Sequence, residues 1–377
     1  MKKIMNEQVW VEDTLEKLKL KMVSVAERNR SKIPYTAENG VFNDYSEEKI
    51  YWWTNGFWAG IMWQMYHITK SELYREIAVD TEQKMDKNFQ MPAKLDHDNG
   101  FKWLLTAVAD YRLTGSLKSR DRGLLAADLL AGRYNPAGHF LRAWNEWGGE
   151  KHLGWAIIDC MMNLPLLYWA FKETEDPRFL QIAVDHANMA QTYFVRPDGS
   201  VNHIVEFQPE TGEMVKSHGG QGYEEGSSWT RGQTWGIYGF VLSYIHTKNE
   251  SYLNTAKSIA NYFIANIPED YLMPVDFLQP GDCEWEDSTA AACGACGLIE
   301  LSKYVKDAEM NVYLNPAIKL LKTLDEKRCS WSPEVDNLLE NCSASYHDTR
   351  HNFPMIYADY YFIEAVLKLA DQDLFLW

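Results

Sequence analysis

Thr174-Glu175-Asp176-Pro177-Arg178-Phe179-Leu180-Gln181-Ile182-Ala183 lies between two stretches of helical periodicity, and its pattern of Thr, an aromatic five residues on and Ala four beyond that recurs. The same spacing appears at Thr69/Tyr74/Ala78 and Thr247/Tyr252/Ala256. Each copy opens the second helix of a hairpin. The distance from Thr174 to Thr247 suits one hairpin and that from Thr69 to Thr174 suits two, as an array of helix pairs requires. Apolar residues recur at helical spacing almost everywhere, and strand-like alternation is scarce. The periodicity predicts about twelve helices, near 8–29, 56–69, 72–89, 98–113, 117–134, 154–173, 177–194, 228–247, 250–266, 287–305, 310–325 and 356–371, with Pro165 kinking or shifting the sixth. Six hairpins either stack as an open solenoid or close into a toroid. Neither end carries an evident polar capping repeat, which favours closure into an all-α (α/α)6 barrel.

The 377 residues contain no Pro/Gly/Ser-rich linker, charge block or low-complexity stretch, so one domain over 1–377 is expected. Met1 to Trp10 lacks an apolar leader core, and no later run is long and apolar enough to span a membrane; a cytoplasmic protein is expected. A net charge of −16 and a pI near 5.1 argue against nucleic acid and long polyanions as partners, leaving room for a short acidic sugar held by local cations. Fifteen Trp and 21 Tyr suit sugar faces as well as cores. Six cysteines in so long a chain are no disulfide framework. Cys293-Gly-Ala-Cys296 has redox spacing, yet it sits among small residues in Ala290–Gly297 and reads as close helix packing. Monomer and homodimer are left open.

The first helices of the hairpins open on segments dense in Trp, acid and Gly: Trp52-Trp53-Thr54-Asn55-Gly56, Asp96-His97-Asp98-Asn99-Gly100, Gly154 to Asp159, Ser228 to Gln233, Glu284 to Ser288, and Ala358-Asp359-Tyr360. If these helices form an inner ring running one way, the six segments meet at one rim, where helix N-termini favour an anion. Asp159, between Trp155-Ala156-Ile157-Ile158 and Cys160-Met161-Met162, is expected to be buried, with a raised pKa suited to general acid/base work; Asn163 follows one turn on. The alternative is a structural Asp at a helix terminus. Asp98 reads locally as an N-cap, a role compatible with facing Asp159 across a pocket as a second carboxylate. Arg231 offers a fork for a carboxylate, or else pairs with a core acid. His203 alone reads as a packed or surface histidine. Nucleotide-binding, Ser-elbow and metal-spaced motifs are not seen, so a cofactor-free hydrolase is expected.

Four blocks carry a resemblance to glycoside hydrolase family 88, the unsaturated glucuronyl hydrolases: Trp53-Thr54-Asn55-Gly56-Phe57-Trp58, Asp98-Asn99-Gly100-Phe101, Ile157 to Cys160 with Asn163 to Leu167, and Trp229 to Gly239. The resemblance covers nearly the whole chain. It implies an (α/α)6 barrel that releases 4,5-unsaturated glucuronic acid from lyase-generated oligosaccharides by hydrating the C4=C5 bond. It further implies Asp159 as acid/base, Asp98 as the second carboxylate, and a substrate pocket lined by Trp53, Trp144, His203, Gln221, Trp229 and Arg231. Ser345, on the loop Asn341 to His347, falls where relatives contact the outer sugar and any sulfate. Some relatives have Asp where Asn55 stands and His where Gly220 stands; unsaturated rhamnogalacturonyl hydrolases tend to have Asn where Gln233 stands. That activity, an ordinary glycosidase or epimerase, and a non-catalytic sugar-binding toroid are the rival readings.

Overall fold

In a computed structural model, which describes residues 2–146 and 149–377, the hairpin corners are built alike. The hydroxyls of Thr69, Thr174 and Thr247 each donate to the carbonyl four residues back at 2.7 Å and accept from the N–H two residues on at 3.2 Å. Between them Lys70, Glu175 and Lys248 take left-handed φ of 56–58° and end the first helix. A fourth corner, at Thr114, makes the same two bonds. Here Gly115 takes the left-handed position, Ser119 stands for the aromatic and Gly123 for the Ala. A Cβ on Gly123 would lie 2.8 Å from the Trp169 ring, so the neighbouring helix fills the space that Ala occupies elsewhere.

Thirteen α-helices among the described residues make twelve rods, because α4 (Asn99–Trp103) and α5 (Ala109–Thr114) run on through a π turn at Leu104–Val108. The inner ring is α2 (Phe57–Thr69), α4/α5, α7 (Leu164–Thr174), α9 (Thr230–Thr247), α11 (Ser288–Ser302) and α13 (Ile356–Leu369). Each packs on the next, and α13 packs on α2, so the toroid closes. Outside lie α1 (Lys2–Arg28), α3 (Glu72–Met85), α6 (Leu117–Ala131), α8 (Pro177–Tyr193), α10 (Glu250–Ala265) and α12 (Asp307–Lys327). The chain is an (α/α)6 barrel.

Burial separates the two rings. Outer α1 buries Val11, Leu15, Leu18, Met22 and Val25, one stripe at helical spacing. Inner α9 is buried without a break from Thr230 to Ser243, and α11 from Ser288 to Ser302. The small residues of α11 permit this: a Cβ on Gly294 would meet Phe263 at 2.8 Å and one on Gly297 would meet Ile237 at 3.0 Å. Cys293 and Cys296 are therefore packing residues, unpaired, with burial pushing both thiols well above their ordinary range. At one end the barrel is closed by residues 371–377, where the buried Trp377 indole donates to Glu364 and Gln64 bonds both backbone groups of Leu374. Among the described residues no helix is long and apolar enough to cross a membrane.

One expected helix is corrected. Residues 154–163 do not begin the sixth rod: Trp155–Ile157 form a strand, Ile158–Met162 a 3-10 turn, and α7 starts at Leu164 with Pro165 in its first turn. Proline lacks the N–H that a helix start leaves unbonded, so it opens the helix instead of kinking it. Besides two short hairpins elsewhere (Ala37–Glu38 with Val41–Phe42, Tyr134–Asn135 with Phe140–Leu141), the Trp155–Ile157 strand pairs antiparallel with Ile204–Phe207, which pairs with Met214–His218. This three-stranded sheet sits at the open end of the barrel.

Candidate active site

The rim opposite Trp377 collects the N-termini of the inner helices, and the small sheet delivers two groups to it in register. Ile157 pairs with Ile204, and Ile158 N donates to the His203 carbonyl at 3.1 Å, so Asp159 and His203 leave the sheet side by side. His203 Nε2 lies 3.6 Å from Asp159 Oδ2. Its Nδ1 accepts from the Gln221 backbone N–H at 3.0 Å, which fixes the proton on Nε2, facing the carboxylate. The ring rests against Trp229 at 4.4 Å between centroids. Gly220 makes this fit possible: it has φ +59°, and a Cβ there would lie 1.9 Å from His203 Nδ1. Both Asp159 Oδ2 and His203 Nε2 are buried without a hydrogen-bond partner among the described residues, as is Trp229 Nε1. Buried polar atoms are almost always bonded, so three open ones on adjoining side chains mark where a ligand's polar groups belong.

Asp98 occupies the N-cap position of α4, its carbonyl accepting from Lys102 N at 3.3 Å, but its carboxylate caps nothing. Oδ1 accepts instead from Asn163 Nδ2 at 3.1 Å, and the same Nδ2 reaches the Asp159 carbonyl at 3.2 Å. The deeper acid is thus Asp98, with a side chain 9% exposed against 16% for Asp159. Burial pushes its carboxyl well above the ordinary carboxylate range, and the charges of Asp96 and Asp159 push the same way; Lys102 and the Asn163 amide oppose them. Of the two acids Asp98 lies on the more enclosed turn, a burial that its local N-cap pattern does not announce. His97, 3.6 Å from Asp98 Oδ1, is held neutral by burial, its pKa pulled down to about 4.

Arg231 is 1% exposed, and its guanidinium is taken up within the protein. Nη1 donates to Asp287 and to the Ser343 carbonyl at 2.9 Å, and Nη2 to the Ala344 carbonyl at 2.6 Å. The Trp229 and Tyr357 rings flank it at 4.5 and 5.5 Å. Of the two sequence readings, pairing with a core acid is the one the geometry supports; the fork is not open to a ligand carboxylate. Asp287 also caps α11 through Thr289 N at 3.2 Å. Gln221 works on the same wall, donating to the Ala344 carbonyl at 2.7 Å and accepting from Tyr346 N at 2.9 Å. Ser345, partly exposed, lies on the loop so held.

Trp53 packs against Tyr357 at 4.8 Å and Phe101 at 5.5 Å, and Trp144 lies near Trp155 at 6.1 Å. His97 N donates to the Ala143 carbonyl, bringing Trp144 beside the Asp98 turn. The candidate acids, His203, Arg231 and the loop that carries Ser345 are thus joined through Trp229, Asn163 and Gln221. Asn163 and Asp287 were visible in the rim motifs but not assigned a part. Two carboxyl-bearing turns are tied here by the one Asn163 amide. A cyclic group entering here meets indole faces, and the helix N-termini favour a negative charge on it.

Known proteins similar to this chain point to one family. The Glycosyl Hydrolase Family 88 model matches residues 25–295. The unsaturated glucuronyl hydrolase of Bacillus sp. (strain GL1) is 37% identical over 338 residues, 87% of this chain and 88% of that one. The unsaturated chondroitin disaccharide hydrolase of Streptococcus pneumoniae (strain ATCC BAA-255 / R6) is 33% identical, covering 86% of this chain and 83% of its own. The crystal structure of an unsaturated glucuronyl hydrolase from Streptococcus agalactiae superposes with a TM-score of 0.90 at 31% identity, over 98% of this chain and 94% of that one. A mutant of that enzyme, complexed with dGlcA-GalNAc6S, superposes at 0.84 with 29% identity, over 98% and 94% of the two chains. With the fold, the paired carboxyls and these matches together, the chain belongs to glycosyl hydrolase family 88 and is a glycoside hydrolase.

Proposed function

We propose that this enzyme releases 4,5-unsaturated glucuronic acid from the non-reducing end of short glycosaminoglycan-type oligosaccharides by hydrating the C4=C5 bond. The observation that carries the reading is the open Asp159 Oδ2, set opposite the Nε2–H of His203 and beside a second, buried carboxyl. Asp159 delivers its proton to C4; a water oxygen bonds to C5, and the water's proton returns to the carboxylate pair, restoring the acid. The resulting hemiketal at C5 opens to a ketone, leaving a hemiacetal at C1 that expels the outer sugar. Protonation falls on carbon, unlike the leaving-oxygen protonation of ordinary glycosidases.

Asp98 supplies the second, buried carboxyl of the pair. Trp53, Trp144 and Trp229 offer faces and edges to the sugar, His203 and Gln221 present polar groups, and Arg231 contributes its charge and the shape of the wall. Gln233, the residue that separates this reading from the rhamnogalacturonyl one, is buried; it ties Gly199, Val201 and Ser228 together and so shapes the turn that ends in His203. Ser345 faces the outer sugar, where a sulfate would sit.

The test is the loss of ultraviolet absorbance of unsaturated chondroitin and hyaluronan disaccharides with wild type, Asp159→Asn and Asp98→Asn. Decay with wild type and near-total loss in both folded variants is expected. Steady absorbance with every unsaturated glucuronide tried would sink the reading and bring the rhamnogalacturonyl and non-catalytic alternatives forward. Equal rates on sulfated and unsulfated disaccharides, unchanged by Ser345→Ala, would remove Ser345 from the site.

A further inference from the structure

A helix N-terminus leaves N–H groups without intrahelical partners, and an Asp at the N-cap ordinarily takes one with its own carboxylate. At α4 that duty has moved. The third N–H of the helix, Phe101 N, donates to Asn163 Oδ1 at 2.8 Å, across 62 residues of sequence. The other end of the same amide donates to Asp98 Oδ1 and to the Asp159 carbonyl. Asn163 is fully buried, and Gly100 lets it come this close: a Cβ on Gly100 would lie 2.5 Å from Asn163 Cα.

We infer that Asn163 is a positioning residue that caps α4 in place of Asp98, so that the Asp98 carboxylate is released from its local helix and turned toward Asp159. The inference rests on the proposed reaction for its kinetic consequence and on geometry alone for its structural one. One amide thereby ties the two carboxylate-bearing segments together: its oxygen holds the start of α4, and its nitrogen holds both the Asp98 carboxylate and the backbone of the Asp159 turn. Without it, the acceptor that an N-cap Asp ordinarily offers to Phe101 N is the Asp98 carboxylate.

The groups facing Asp98 are Asp96 and His97 on the preceding turn, Lys102 on α4, Asp159 and Cys160 on the turn before α7, and Arg133 beyond α6. Among these the Asn163 amide is a neutral donor that favours the ionised carboxylate. Its loss therefore moves the acid limb of the kcat profile to higher pH.

The experiment uses the full-length enzyme with an unsaturated chondroitin disaccharide, measuring kcat and KM from acid to neutral pH for wild type, Asn163→Ala and Asn163→Asp. A crystal structure of Asn163→Ala accompanies it. Asn163→Asp keeps an oxygen for Phe101 N but loses the donor to Asp98. Misplacement of a reacting group by about 1 Å costs about 10²-fold, so a fall in kcat of about that size is expected in both variants, with KM within about threefold of wild type. In Asn163→Asp the acid limb shifts upward, and in the crystal of Asn163→Ala the Asp98 carboxylate accepts from Phe101 N. Wild-type kcat and pH profile in either variant would overturn the inference, as would a crystal of Asn163→Ala with Asp98 unmoved. If wild type itself leaves the disaccharide intact, the proposed reaction fails, and the position of Asp98 in the crystal still decides the role of Asn163.

Discussion

Asp287 and Arg231 form a buried pair whose removal from one side should be costly. Asp287→Ser keeps a capping oxygen for Thr289 N but leaves the guanidinium, 1% exposed, facing two carbonyls and no anion. Breaking a buried pair in this way costs about 3–5 kcal/mol. Unfolding entropy of about 2.1 cal/mol/K per residue gives about 0.8 kcal/mol/K for this chain, so the melting temperature should fall by about 4–6 °C in differential scanning calorimetry. The double variant Arg231→Met/Asp287→Ser leaves neither charge of the pair, and at least half of that loss should return. Activity should not return with it, because the carbonyls of Ser343 and Ala344 have lost the donors that fix the pocket wall. A melting temperature for Asp287→Ser within about 1 °C of wild type, or a double variant less stable than both singles, would refute the pairing as the source of order here.

At Asp98 a raised folded pKa means that the native state favours the neutral acid; that stability is fully present below the unfolded value near 3.9 and is lost as pH rises through the folded value. Asp98→Asn cannot ionise, so its melting temperature should exceed that of wild type by a margin that grows from about pH 4 upward, and a margin flat with pH would contradict the burial argument. Gly220→Ala should cost about 2–4 kcal/mol, from about 1 kcal/mol of left-handed strain and an unsatisfied bond between Gln221 N and His203, and should cut kcat as His203 turns from Asp159. Unchanged urea unfolding and kcat would show that the ring tolerates the added methyl.

The rods were legible because α1, α8 and α10 show one apolar stripe each and three of the inner helices, α2, α7 and α9, end on the same Thr corner. The fourth corner does not show in the repeat because its packing is inverted: Trp169 supplies the bulk from α7, and Ser119 and Gly123 stand where the repeat has Tyr or Phe and Ala. Residues 155–158 were misread for a different reason. Trp-Ala-Ile-Ile is apolar throughout, so neither period shows, and its strand character comes from pairing with Ile204–Phe207, nearly fifty residues on. Local sequence holds no record of that partner.

The same limit governs the site. Asp98 has the local look of an N-cap and sits at the N-cap; what the sequence could not show is that Asn163 takes the N–H that the carboxylate would otherwise hold. Arg231 has the local look of a ligand fork, but its acid, Asp287, opens the next hairpin, and its carbonyl partners lie 112 and 113 residues on. In each case the residue type was legible and its engagement was not, because engagement is decided between hairpins that only the closed ring brings together. That division also explains why the rim can carry the chemistry. The inner helices bring in residues already committed to one another, such as Asn163, Arg231 and Asp287. The groups left open, Asp159 Oδ2 and His203 Nε2, stand on a short turn and a sheet edge, outside the regular helices. A carboxyl within a continuous inner helix would be packed on all sides, as Glu364 is among Tyr238, Lys368 and Trp377, and would have no free oxygen to offer a substrate.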